Sequence, residues 1–71
     1  MNKDEIMIIL RYSKKEKRSI TIDFEDKYSK VITTGIVKQI KRNGKFIISS
    51  YIVGYRRDVE LAITGIKNIE V

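Results

Sequence analysis

From Ile20 to the end of the chain, apolar and polar residues alternate with a period close to two, whereas the first sixteen residues follow a helical rhythm. Ile6, Ile9, Leu10 and Ser13 fall at helical spacing, with Met7 and Ile8 beside them. Asn2 and Glu5 stand three apart, the spacing of a capping box. Asp4 and Glu5 suit the positive end of the helix dipole, and the basic run Lys14 to Arg18 suits its negative end. A helix over residues 3–16 is predicted. Ile20, Ile22 and Phe24 then alternate with Thr21 and Asp23, a strand with one buried face, and Glu25 to Ser29 reads as its turn.

The second strand places Val31, Thr33, Gly35 and Val37 on one face, but the next large apolar residue is Ile40. That slip of one position predicts a β-bulge near Lys38-Gln39. Gly35 has no side chain to pack and allows the strand to coil sharply. Asn43-Gly44 predicts a two-residue type I′ hairpin with positive φ at both positions. Phe46 to Val53 reads as the third strand, with Ser49 and Ser50 in its middle. Gly54 through Asp58 reads as a connection, and Val59, Leu61 and Ile63 alternate as the fourth strand. Thr64-Gly65 breaks it, and Ile66, Ile69 and Val71 close the chain as a short turn and strand. The bends are thus assigned to Gly35, Asn43, Gly44, Gly54 and Gly65.

This pattern predicts an α+β fold. An N-terminal helix precedes a five-stranded antiparallel Sm-like or SH3-like small β-barrel over residues 19–71. The expected core is Ile6, Leu10, Ile20, Ile22, Phe24, Val37, Ile40, Ile48, Leu61, Ile63, Ile66 and Ile69. With 71 residues there is room for one domain, residues 1–71. No cysteine or histidine is present, which excludes disulfides and any Cys/His zinc site. A scaffold this small without staples is expected to oligomerise or to bind a partner. The longest apolar run, Ile6 to Leu10, is far too short to span a membrane, and no secretory signal is visible at the start. The expectation is a cytoplasmic protein with no membrane partner.

Charge narrows the function classes. Fifteen Lys and Arg against nine Asp and Glu give a net +6. Arg11, Lys14, Lys15, Lys17 and Arg18 form one basic cluster, and Lys38, Lys41, Arg42 and Lys45 form a second with no acid inside it. Such clusters attract nucleic acid and other anionic surfaces through counterion release; equally, they are the solvated surface that keeps strand edges from aggregating. Asp23, Glu25 and Asp26 make an acidic patch between the two, read as a solvated edge rather than a cation site. General acid–base chemistry would have to proceed without histidine, Ser49 and Ser50 have no base of the needed type, and the four glycines are scattered. A non-enzyme that uses no cofactor and no metal is expected.

The segments Ile20-Thr21-Ile22-Asp23-Phe24, Thr33-Thr34-Gly35-Ile36-Val37-Lys38-Gln39-Ile40 and Ile66-Lys67-Asn68-Ile69 resemble the YolD-like family of bacteria, plasmids and phages. Thr34-Gly35-x-Val37-x-x-Ile40 is the most specific of these. The chain differs from that pattern in having no Trp or Pro, and no glycine at Asp26-Lys27-Tyr28. The resemblance implies a non-catalytic protein-interaction module, accessory to an error-prone polymerase of DNA-damage tolerance or directed at another host factor. A homo-oligomer built through strand edges is compatible with it. The alternative comes from the residues themselves. Lys38, Lys41, Arg42 and Lys45 surround one hairpin, and Tyr51, Tyr55, Arg56 and Arg57 surround the next. Cations beside aromatic platforms are how small barrels hold single-stranded RNA or DNA. In the plainer reading of those residues, Tyr51 and Tyr55 pack on the barrel, and Arg56 and Arg57 pair with Asp58 and Glu60.

Overall fold

In the computed structural model the described residues are 2–52 and 54–71. Helix α1 (Lys3–Glu16) is followed by strands β1 (Ile20–Glu25), β2 (Lys30–Ile40), β3 (Lys45–Ile52) and β4 (Tyr55–Ala62). A single 3-10 turn (Ile63–Gly65) then leads into β5 (Ile66–Glu70). All five strands form one antiparallel sheet in the order β4-β3-β2-β1-β5. The helix begins where the capping box places it. The Asn2 side-chain oxygen accepts the Glu5 backbone N–H at 2.9 Å, and the Asn2 amide donates to the Glu5 carboxylate at 3.3 Å.

The α+β class and the five antiparallel strands match expectation; the closed barrel does not form. Strands β4 and β5 lie at opposite edges of the sheet, without a ladder between them. Laid flat, those edges would stand about 19 Å apart, four inter-strand spacings. The three residues of the 3-10 turn join them directly, over a span of at most about 14 Å. The sheet must therefore curl strongly, and it is the short connector that holds the curl. Hydrogen bonding from Ile63 N–H to the Gly44 carbonyl (2.9 Å) ties the connector to the β2–β3 hairpin.

Two bulges serve the curl. In β2 the register steps from Val37–Ile48 to Gln39–Ile47, leaving Lys38 as the extra residue where the phase slip predicts it. In β5 it steps from Asn68–Asp23 to Ile66–Phe24 past Lys67, which explains how Ile66 and Ile69, three apart, are both buried. Gly35 permits the tightest approach. A Cβ there would overlap the backbone carbonyl of Ser49 on β3.

The concave face packs Ile20, Ile22, Phe24, Val37, Phe46, Ile48, Ile63, Ile66 and Ile69 under Ile6 and Leu10 of the helix. Phe46 belongs to this core although its position in the apolar stretch after the hairpin does not single it out. Its strand neighbours Ile40 and Leu61, expected inside, are only partly buried, because the Phe46 ring fills the middle of that row.

Three local expectations are corrected. The β2–β3 hairpin is not type I′. Lys41 N–H bonds to the Lys45 carbonyl at 2.8 Å around three loop residues, and only Gly44 (φ +84°) has a positive φ. Asn43 instead uses its side chain, accepting the Lys45 N–H at 3.2 Å. This is the three-residue hairpin with a left-handed glycine at its end. Secondly, residues 55–58 are strand rather than connection. The β3–β4 ladder runs to the Ile52–Tyr55 pair, and charged residues are tolerated there because β4 is an edge. Finally, Ile63 lies in the 3-10 turn and not in the fourth strand. The expected end of the third strand at Val53 lies outside the described residues.

Candidate nucleic-acid interface

A seam runs between the C-terminal half of the helix and strand β2, and one residue makes it. Ser13 is fully buried, and its hydroxyl bridges three segments. It accepts the Val37 backbone N–H at 3.0 Å and donates to the Arg18 carbonyl at 2.7 Å. The Ser13 carbonyl in turn accepts the Arg18 N–H at 3.1 Å, which closes the helix. Lys17 takes the left-handed conformation at this closure (φ +55°), a place where glycine is usual. The helix end is thereby fixed against the bulge in β2.

Along the seam lies an open groove of about 520 Å³. It is lined by Lys14 and Lys17 from the helix end, Lys38 from the bulge and Arg56 from β4, together with Ile36, Val37 and Ser49. No acidic side chain lines it. The register explains the convergence. Ile36 pairs with Ser49, and Tyr51 pairs with Arg56, all on the convex face of the sheet. The bulge adds Lys38, and the helix end supplies Lys14 and Lys17. A second groove of about 600 Å³ continues along the helix, lined by Met7, Arg11, Lys14, Lys15 and Ile40, so that Lys14 stands between the two.

Tyr51 does not line the first groove; it meets Arg56, which does. It is 60% exposed, and the Arg56 guanidinium carbon lies 5.9 Å from its ring centre, within cation–π range. The plainer reading, in which Tyr51 and Tyr55 pack on the barrel, is not what the structure shows, since Tyr55 is also exposed. Nor do Arg56 and Arg57 hold the β4 acids. Asp58 pairs with Lys38 at 3.4 Å, and Glu60 pairs with Lys41 at 2.8 Å. The hydrogen bond from Lys41, with the charges of Lys41 and Lys45, holds the Glu60 carboxyl below its ordinary range despite some desolvation.

The expected eight-residue site is therefore divided. Lys38 and Arg56 line the groove, and Tyr51 lies against Arg56. Lys41, Arg42 and Lys45 sit at the β2–β3 hairpin, where Lys41 is engaged by Glu60. Tyr55 and Arg57 pair with Ile52 and Ser50, which puts them on the opposite face of β4 from Arg56. The sequence groups Lys14 and Lys17 in one basic cluster but carries no direct sign that they meet Lys38 and Arg56. The available signal was Ser13, a polar residue on the apolar stripe of the helix. The acidic patch organises its own turn. The Asp26 carboxylate accepts the Tyr28 and Ser29 N–H groups, each at 2.8 Å, and these bonds lower its pKa. Among the described residues, no group of three acidic, His or Cys side chains is placed to hold a metal ion. Among them, too, no helix is long and apolar enough to cross a membrane.

No protein-family model matches the chain, and neither the curated proteins nor the solved structures contain a match to it.

Proposed function

We propose that the protein binds nucleic acid non-catalytically, through the basic groove between helix α1 and strand β2. The observation that carries this reading is the convergence of Lys14, Lys17, Lys38 and Arg56 around one groove with no acid in its lining. Four cations from three elements, on a chain of net charge +6, make a concentrated positive field. Lysine and arginine in such a field release counterions when they meet phosphates, which is the main source of sequence-independent affinity. The exposed Lys38–Asp58 pair is worth little by itself, about 0–1 kcal/mol, so a phosphate can displace Asp58 from Lys38.

The test is charge reversal. Lys14→Glu with Arg56→Glu is expected to abolish oligonucleotide binding measured by fluorescence anisotropy. Lys67→Glu on β5 removes the same kind of charge away from the groove and is expected to bind nearly as the wild type does. Equal loss in both variants would sink the groove assignment.

A second reading keeps the protein partner. The strand order, the leading helix and the 3-10 turn before the last strand are compatible with kinship to Sm-like or SH3-like small barrels; the YolD-like interaction role rests on the sequence resemblance alone. Strands β4 and β5 each offer one unpaired edge for strand addition. Two features count against that route. Strand β4 carries Arg56, Arg57, Asp58 and Glu60, and β5 is short and bulged at Lys67, the devices by which edges avoid pairing. Nucleic acid is the better-supported partner.

A further inference from the structure

Resting on that reading, we infer that the groove takes a single strand, and that Tyr51 with Arg56 forms a platform on which one of its bases stacks. Tyr51 has no place in the core. It stands on the convex face at the far end of β3, directly paired with Arg56 on β4. Arg56 is shared: its side chain lines the groove and also lies 5.9 Å from the Tyr51 ring centre. A phosphate held by Lys14, Lys17 and Lys38 thus has an aromatic face beside it, joined to the groove by one guanidinium.

The pairing of phosphate cations with an exposed ring distinguishes strand types. In a duplex the base faces are stacked on each other and only edges reach the grooves, so a side-chain ring finds no face to cover. A single strand offers both phosphate and an open base face, and every base has such a face, so the platform is sequence-tolerant. The path is consistent with a strand as well. The two grooves along the helix share Lys14, and the stretch of helix from Met7 to Lys17 that borders them is about 15 Å long. The seam is thus an extended positive track rather than a closed pocket for one small anion.

The experiment uses the full chain, which contains no tryptophan, so that Tyr51→Trp introduces a single indole at the platform. Indole emission and fluorescence anisotropy are read while adding a single-stranded oligonucleotide, the same strand without bases, a duplex, and inorganic polyphosphate. DNA and RNA strands of one sequence form separate arms and separate the two sources of this ligand chemistry. Base-bearing single strands are expected to quench the indole, whereas the abasic strand and polyphosphate bind weakly and leave it bright. Tyr51→Ala is expected to weaken single-strand binding roughly tenfold with the salt dependence unchanged, and Tyr51→Phe to bind as the wild type. Tight, salt-sensitive binding that is indifferent to Tyr51→Ala and to loss of the bases would overturn the platform while leaving the groove in place. Failure of every nucleic acid to bind would overturn both.

Discussion

The Ser13 hydroxyl accepts the backbone N–H of Val37 at 3.0 Å, beside the bulge in β2, and so locks the end of the helix to the sheet. Because its proton goes to the Arg18 carbonyl at 2.7 Å, both capacities of the hydroxyl are used in a fully buried place. Ser13→Ala leaves a buried N–H and a carbonyl without that partner. A loss of about 1–3 kcal/mol is expected in chemical denaturation. A variant as stable as the wild type would show that the seam is not held by this residue.

Lys17 presents a conflict between stability and charge. It occupies a left-handed backbone conformation (φ +55°) while its side chain lines the groove. An L-residue pays about 1–2 kcal/mol for that conformation, and glycine does not. Lys17→Gly is therefore expected to raise the midpoint of thermal unfolding and to weaken oligonucleotide binding. Unchanged binding in a stabilised variant would remove Lys17 from the interface.

Gly35 is the position where a side chain has nowhere to go. A Cβ would overlap the Ser49 carbonyl, part of the neighbouring strand's backbone, which cannot swing aside as a side chain can. Gly35→Ala is expected to cost about 3 kcal/mol or more, and Gly35→Val to prevent folding. The check is circular dichroism with urea titration. Native-like stability of Gly35→Val would contradict the close approach of β2 and β3.

Asp58 competes with phosphate for Lys38, its partner at 3.4 Å. Asp58→Asn keeps the shape of the side chain and frees the lysine. Binding of a short oligonucleotide at low salt should tighten by about two- to fivefold, the scale of one exposed ion pair. No gain would mean that Lys38 does not meet the ligand.

Much of this architecture was legible in the order of residues, because the features concerned are local. Asn2 and Glu5 mark the helix start, Ile20, Ile22 and Phe24 mark a half-buried strand, and the slip from Val37 to Ile40 marks the bulge. What escaped depends on parts of the chain distant in sequence. Whether β4 meets β5 is decided by how far the sheet curls, which no single strand pattern records. The Asn43-Gly44 pair signals a hairpin, but loop length is set by which residues bond across it, here Lys41 and Lys45. Tyr55 and Arg57 resemble Tyr51 and Arg56 in sequence, and only the β3–β4 register sends them to opposite faces. The groove itself joins residues of the helix, of β2 and of β4, and Ser13 was its one sequence trace.

Salt dependence tests the central claim most directly. The binding constant for a labelled single-stranded oligonucleotide should be measured across a series of salt concentrations. If Lys14, Lys17, Lys38 and Arg56 meet phosphates, log K should fall linearly with log salt, with a slope of about −2 to −3. A flat dependence, or no binding at the lowest salt, would contradict the account.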